Sequence, residues 1–244
     1  MNRRRSIPSF SEQQFARSVG FARDVPPRGR PDALAYMDTG VLLAVAASPE
    51  CLEVFCSHYQ GRLFAVQTVI EEVRRKAQPA APGDPERLVR IAARLVLARM
   101  LIPGILQADG GANLNAELYD SVMLQLSKMP DVANETHHAL KNAGEAMSIT
   151  ACIQNNAEGK KSIFFTNDRS ASLVAQAREV AARNFRHVLR ELVCAGQVDE
   201  TKAFQLFSDG YQVSKVPAQE CPESAQELAC HKADVCAVCS SRFD

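Results

Sequence analysis

Three short apolar runs of strand length alternate with longer segments of helical periodicity along the chain. The runs are residues 33–37 (ALAYM), 63–66 (LFAV) and 162–165 (SIFF), and their length is typical of buried strands. The predicted helices lie at about 40–47, 50–59, 69–76, 86–101, 115–128, 142–156, 169–182, 184–195 and 199–209. Thr39 and Thr68 are the predicted N-caps of the first and third of these helices. Strands that alternate with longer helices predict a three-layer α/β fold, with a central mainly parallel sheet flanked by helices and a helical C-terminal extension.

Proline- and glycine-rich stretches divide the chain into segments. Residues 1–32 form a predicted irregular basic arm, and residues 33–182 form the α/β domain, with a longer helical middle section at 78–140. C-terminal helices follow at 183–212, and a tail with cysteines and a histidine spans 213–244. Within the domain, 77–85 and 103–113 are predicted loops.

Composition narrows the function classes. The chain has 244 residues, 46% of them hydrophobic, and equal numbers of Lys+Arg and Asp+Glu, 28 each. The apolar fraction suffices for a sizeable core, and a net charge of zero argues against a simple basic nucleic-acid clamp. No apolar run approaches the ~20 residues of a membrane-spanning helix, and no secretory signal follows Met1. We therefore expect a cytoplasmic protein without a membrane partner.

Cysteines cluster in the tail. Four of the eight lie inside apolar helical patterns, where a thiol is a small core residue. The others, with a neighbouring histidine, form a candidate zinc site in which a Cys-x2-Cys pair joins an upstream Cys-His pair. Its candidate ligands are Cys221, Cys230, His231, Cys236 and Cys239. Free thiols in a loosely ordered tail are the alternative.

Acidic residues lie within three residues of the ends of two predicted strands. Asp38 follows the strand 33–37, and Asp168 follows 162–165 by three residues. The carboxyl ends of parallel strands lie along one edge of a sheet, where such folds bind ligands. Glu71 or Glu72, after the second strand, and Glu145, at the start of a helix, fit the same edge.

Gathered carboxylates repel one another unless a cation lies among them. Mg²⁺ and Mn²⁺ favour carboxylate and water oxygens, and in such a site they promote phosphodiester hydrolysis. Helix capping alone explains any one of these acids. Four acids at strand ends or helix starts favour the metal site.

The four acidic segments together resemble the motifs of PIN-domain ribonucleases. They are residues 37–43 (MDTGVLL), 69–73 (VIEEV), 144–149 (GEAMSI) and 165–170 (FTNDRS), in the order of that family. The resemblance covers about residues 33–182 and implies a PIN-like fold in this part of the chain. The chain departs from toxin-type members in its N-terminal arm, its longer middle section and its C-terminal addition. A stand-alone RNA-processing or defence-type nuclease is therefore an alternative to the toxin of a toxin–antitoxin pair.

The resemblance implies an endoribonuclease that cleaves RNA with Mg²⁺ or Mn²⁺. Its metal-binding catalytic acids would be Asp38, Glu72, Glu145 and Asp168, supported by Thr39, Thr166 and Asn167. Glu71 competes with Glu72, and we prefer Glu72 because adjacent helical residues do not share a face and Glu72 precedes the apolar Val73. Candidate partners are RNA, an antitoxin-like inhibitor protein and a second copy of the chain.

Arginines at helical spacing, Arg183, Arg186 and Arg190, are candidates for binding RNA phosphates. Alternatively, these arginines only form a solvated helix face. RNA binding is favoured over this alternative if they flank the acidic edge. Two rival functions stay open: a non-catalytic RNA- or protein-binding module on the same fold, and a zinc-stabilised interaction protein that acts through its tail.

Overall fold

A five-stranded, all-parallel sheet lies at the centre of the computed structural model, which describes residues 33–79, 83–110, 113–129 and 142–229. The strands are β1 (Leu34–Met37), β2 (Leu63–Val66), β3 (Leu106–Asp109), β4 (Ser162–Phe165) and β5 (Ala181–Arg183). Their spatial order is β3-β2-β1-β4-β5. The predicted three-layer α/β class is therefore confirmed.

Nine α-helices flank the sheet within the described ranges. They are α1 (Thr39–Val45), α2 (Pro49–His58), α3 (Gln67–Lys76), α4 (Arg87–Val96), α5 (Ala116–Ser127), α6 (Ala143–Ala157), α7 (Arg169–Ala177), α8 (Phe185–Cys194) and α9 (Glu200–Val213). A π-helical turn, Leu97–Leu101, continues α4, and two short 3₁₀ turns, Ala218–Glu220 and Ala225–Leu228, follow α9.

The helices form two packed groups. In one group α5, α6 and α7 contact one another, and α6 also contacts β1, β2 and β4. In the other group α1 contacts α4, α8 and α9, and α2 contacts α8. Right-handed crossovers, the usual hand in parallel sheets, predict this separation, because the chain moves one way across the sheet from β1 to β3 and the other way from β3 to β5.

The close approach of α9 to α1 and α8 depends on Gly210. A Cβ atom there would lie 2.3 Å from Phe185 Cε1 and 2.9 Å from the Ala44 carbonyl oxygen. The stacked rings of Phe185 and Phe207 pack beside this contact. The C-terminal helices thus belong to the same packed body as α1, which carries part of the candidate site.

Local capping differs from the sequence prediction at two helices. Asp38, not Thr39, caps α1, because its carboxylate accepts hydrogen bonds from the first two backbone N–H groups of the helix. Thr68 does not cap α3, which begins one residue earlier at Gln67. Its hydroxyl instead donates to Met147 Sδ at 3.5 Å.

Both edge strands lie where no strand was predicted. β3 lies in the predicted loop 103–113, and β5 includes the end of the predicted helix 169–182, which stops at Ala177. Their sequences, LQAD and AAR, contain no β-branched or aromatic residue, so intrinsic preference gives no strand signal. Pairing with β2 and β4 imposes the extended conformation.

Helix α4 buries a face that its largest apolar residues do not occupy. Leu88 and Ile91 are exposed, whereas Ala92, Ala93 and Val96 are fully buried. This face packs against the neighbouring helices α1, α3 and α9.

No single helix within the described ranges has the length and apolar character to cross a membrane. Helices α1 and α2 together reach the length and apolar character of a membrane-spanning segment, but their axes are bent by 116° relative to each other. The predicted arm 1–32, together with Cys230, His231, Cys236 and Cys239 of the predicted zinc site, lies outside the described residues.

Candidate active site

The strand order reverses between β1 and β4, and the candidate site lies at that point. Met37 pairs with Phe165 in the β1–β4 register, so the next residues, Asp38 and Thr166, leave the sheet side by side. The Asp38 N–H donates to the Phe165 carbonyl at 2.8 Å, which extends the ladder by one step. In open parallel sheets such a reversal opens a crevice at the carboxyl ends of the strands, where ligands bind.

Asp38 is almost fully buried at this crevice, with 8% of its surface exposed. Its Oδ1 accepts a hydrogen bond from the Thr39 N–H at 2.7 Å, and its Oδ2 accepts from the Gly40 N–H at 3.3 Å. The Thr166 hydroxyl also donates to Oδ2, at 3.4 Å. Backbone and threonine donors therefore hold the carboxylate in one orientation.

The last predicted motif forms a chain of contacts after β4. Thr166 is buried, and its Oγ1 accepts from the Asp168 N–H at 3.0 Å. Asp168 is exposed and caps α7, because its Oδ1 accepts from the Ala171 N–H at 2.7 Å. Thr166 thus links the carboxylates of Asp38 and Asp168.

Asn167 joins this edge to the C-terminal helices. It is buried, its Oδ1 accepts from the Phe185 N–H at 3.0 Å, and its Nδ2 donates to Ser214 Oγ at 3.1 Å. The side chain therefore ties β4 to the starts of α8 and of the segment after α9. Its contacts give it a positioning role.

Of the two glutamates on α3, only Glu72 faces the crevice. Its Oε2 accepts from the Thr39 hydroxyl at 2.7 Å, and its Oε1 lies 3.4 Å from Lys76 Nζ, one helical turn away. Glu71 is exposed, and its carboxylate accepts from Gln67 Nε2 at 3.0 Å. The geometry therefore favours Glu72 as the second acid.

All four acids line one cavity of about 430 Å³. Glu145 enters it from the first turn of α6. Burial, followed by the negative charge of Asp38, raises the pKa of Glu145 from its ordinary value to about 8, and Asp168 and Glu72 act in the same direction. Burial, followed by the charge of Glu72, likewise raises the pKa of Asp38 to about 7, against the lowering effect of its two backbone N–H donors. The four carboxylates are thus close enough to repel one another.

Sequence reasoning missed several other residues of this cavity. They are Gly40, Leu43, Lys76, Glu86, Val89, Val213, Ser214 and Lys215. Lys76 could have been inferred, since a lysine four residues after Glu72 shares its helix face. Ser214 and Lys215 follow α9 and carry no motif; only the packing of α9 against α1 brings them to the site.

Carboxylate oxygens are the donor set that Mg²⁺ and Mn²⁺ prefer, and mutual repulsion among buried acids is relieved by a cation. The chemistry of the donor set therefore fits such a metal. In the described ranges, however, no group of three or more His, Cys, Asp or Glu side chains is arranged to hold a metal ion as it stands. Asp38, Glu72 and Asp168 instead accept hydrogen bonds from the chain itself.

The predicted RNA-binding arginines line a second cavity of about 350 Å³, together with Asn167 and Asp168 of the first. Arg183 ends β5, while Arg186 and Arg190 lie on α8. Of the predicted zinc ligands, only Cys221 is described, as a half-buried free thiol. Comparison with protein-family models, with curated proteins and with solved structures found no match for the chain.

Proposed function

We propose that the protein is a metal-dependent endoribonuclease that hydrolyses RNA phosphodiester bonds at the acid-lined cavity. The observation that carries the proposal is the convergence of Asp38, Glu72, Glu145 and Asp168 on one cavity, from four separate parts of the chain. Structural capping accounts for Asp38 and Asp168. It does not account for the half-buried Glu145, whose pKa is raised first by burial and then by the carboxylates of Asp38, Asp168 and Glu72.

The four acids would hold one or two Mg²⁺ or Mn²⁺ ions. Such an ion supplies a nucleophilic water and neutralises charge on the phosphate. Thr39 orients Glu72, and Thr166 orients Asp38 and the backbone of Asp168. Lys76 and Lys215, which also line the cavity, supply positive charge near the phosphate. Carboxylates already held by backbone donors need little reorganisation, which favours transition-state stabilisation.

A non-catalytic RNA- or protein-binding module is the second candidate function. It is favoured by the absence, in the described residues, of a group of side chains arranged to hold a metal ion. In that case the hydrogen bonds of Asp38, Glu72 and Asp168 would be their entire role, and RNA binding would survive replacement of all four acids.

The deciding experiment measures cleavage of single-stranded and structured RNA by the purified chain. We expect cleavage with Mn²⁺ or Mg²⁺ and none in excess chelator. Asp168→Asn should reduce the rate at least 100-fold while α7 stays capped, because asparagine caps helices as well as aspartate does.

Asp199→Asn is the matched control. Asp199 caps α9 through the same kind of contact, accepting from the Lys202 N–H at 2.7 Å, and it lies outside the acid-lined cavity. Cleavage that persists unchanged in chelator, or that Asp168→Asn and Asp199→Asn reduce equally, would reject the proposal.

A further inference from the structure

The cavity beside the acids is rich in arginine. Arg169, Arg183, Arg186 and Arg190 line it, against two carboxylates, Asp168 and Glu220. The acid-lined cavity has the opposite balance, with five carboxylates and two lysines. Two neighbouring cavities of opposite charge thus share Asn167 and Asp168 as their common wall.

The sheet register fixes this arrangement. Phe165 pairs with Arg183 in the β4–β5 ladder, and the Thr166 N–H donates to the Arg183 carbonyl at 2.8 Å. Asp38, Thr166 and Arg183 therefore follow one another along the carboxyl edge of three adjacent strands. Asn184 then caps α8, so the N-terminus of that helix borders the basic cavity.

The charge of this cavity is only partly neutralised by the protein. Arg186 Nη2 pairs with Glu227 Oε2 at 2.8 Å, and its Nη1 donates to the Glu220 carbonyl at 3.4 Å. Glu220 accepts a hydrogen bond from Asn184 Nδ2. Arg190 has no ion pair within the described ranges, and the buried Nε groups of Arg186 and Arg190 have no hydrogen-bond partner there.

The pKa of His187 also reflects the positive charge of the neighbouring arginines. Burial, followed by the charges of Arg183, Arg190 and Arg186, lowers the pKa of His187 to about 3. The neutral ring accepts from the Asn184 N–H through Nδ1 at 3.2 Å, which completes a capping box. The ring of His187 therefore adds no positive charge to the arginines. Within the described ranges no carboxylate pairs with Arg190.

We propose that the cavity lined by Arg183, Arg186 and Arg190 binds a phosphate group of the RNA substrate, next to the phosphate that occupies the acid-lined cavity. Guanidinium groups match phosphate oxygens in geometry, and a helix N-terminus adds favourable polarity. Because the two cavities share the wall formed by Asn167 and Asp168, two phosphates of one polynucleotide could bind in them side by side. The inference rests on the proposed nuclease function and adds to it a second phosphate contact, which positions the strand.

The test measures binding, so that it does not depend on cleavage. All variants are made in full-length Asp168→Asn, and the affinity for a short single-stranded RNA is measured at several salt concentrations. Arg190→Gln should weaken binding about 10-fold and flatten the dependence of log affinity on log salt by about 0.7, the loss of one phosphate contact to a single strand. Arg99→Gln, an exposed arginine outside both cavities, is the matched control and should change neither quantity.

Arg183→Gln, at the end of β5, is a second variant for the same binding measurement. If either variant fails to fold, the other still tests the proposal. RNA with a 5′-phosphate is compared with 5′-hydroxyl RNA and with inorganic phosphate as a competitor. Loss confined to the 5′-phosphorylated RNA assigns the cavity to a terminal phosphate, and equal loss for both RNAs assigns it to a backbone phosphate. If both variants match Arg99→Gln in affinity and salt dependence, the phosphate site is refuted. The nuclease proposal then still stands or falls on metal-dependent cleavage by the wild type.

Discussion

Replacing Asp38 by asparagine should stabilise the folded protein at pH 8 when no divalent metal is present. The native pKa of Asp38 is raised to about 7 from its ordinary value of 3.8, chiefly by burial and then by the charge of Glu72. The raised pKa means that the native state holds the proton more tightly than the unfolded chain. The contribution to stability is therefore present below pH 4 and is lost as the pH rises through 7.

The size of the effect follows from this difference in pKa. Ionising Asp38 in the native state costs about 4 kcal/mol relative to the unfolded chain. Asparagine removes that cost and keeps the cap of α1 through its carbonyl oxygen, but it replaces the oxygen that accepts from the Gly40 N–H, a loss of about 1 kcal/mol. We expect a net stabilisation of about 2–3 kcal/mol at pH 8, a rise of roughly 5–10 °C in Tm for a chain of this size.

Denaturant unfolding in chelator at pH 5 and pH 8 is the assay. The gain should be clearly smaller at pH 5, where the native carboxyl is protonated. Under the proposed function, added Mn²⁺ should stabilise the wild type more than the variant, because the variant would lack one of the proposed metal-binding carboxylates. A variant that is less stable than the wild type at pH 8, or whose gain is the same at both pH values, would refute the view that Asp38 is strained by burial among other acids.

Three further outcomes follow from the packing and electrostatics. Gly210→Ala should destabilise the fold by about 1–3 kcal/mol, because its Cβ would clash with Phe185 and the Ala44 carbonyl, whereas Gly110→Ala, with no atom within 4 Å, should be neutral in the same unfolding assay. Lowering the pH from 7 to 5 should reduce the free energy of unfolding of the wild type by about 2 kcal/mol through His187. Its native pKa of about 3 means that only the unfolded chain binds the proton in this pH range. His187→Gln keeps the capping box, and its free energy of unfolding should lack this loss between pH 7 and pH 5. Thr39→Val should lower kcat for RNA cleavage several-fold by releasing Glu72, with little change in Tm, and unchanged kcat would contradict the orienting role.

The three central strands and the position of the acids could be predicted because both depend on short-range patterns. Buried strands β1, β2 and β4 are continuous apolar runs, and a parallel sheet brings their carboxyl ends to one edge. Asp38 and Asp168 could therefore be placed together across 130 residues of sequence. The helical period showed that only one of Glu71 and Glu72 could face the site, and the position of Glu72 directly before the apolar Val73 decided the choice.

The parts that could not be predicted depend on tertiary packing. Strand β5 is formed by Ala181–Arg183 because β4 offers a free edge, although the segment itself has no strand preference. Ser214 and Lys215 reach the acid-lined cavity only because α9 packs across α1. The N-cap of α1 is Asp38 and not the predicted Thr39. Asp38 directly follows β1, and its carboxylate accepts hydrogen bonds from the first two N–H groups of the helix.

The net charge of zero is the sum of 28 basic and 28 acidic residues, and it conceals a separation of opposite charges between two cavities at the carboxyl edge of the sheet. A cavity lined only by carboxylates would repel a polyanion, and a cavity lined only by arginines would bind it without chemistry. Here the two adjoin through Asn167 and Asp168, so the basic cavity can offset the repulsion that the acids exert on RNA. A binding module would require only the arginines, and its affinity would rise when the acids were neutralised. A nuclease requires both cavities, so that neutralising the acids abolishes turnover even where affinity rises. Opposite responses of affinity and turnover to Asp168→Asn therefore separate the two functions.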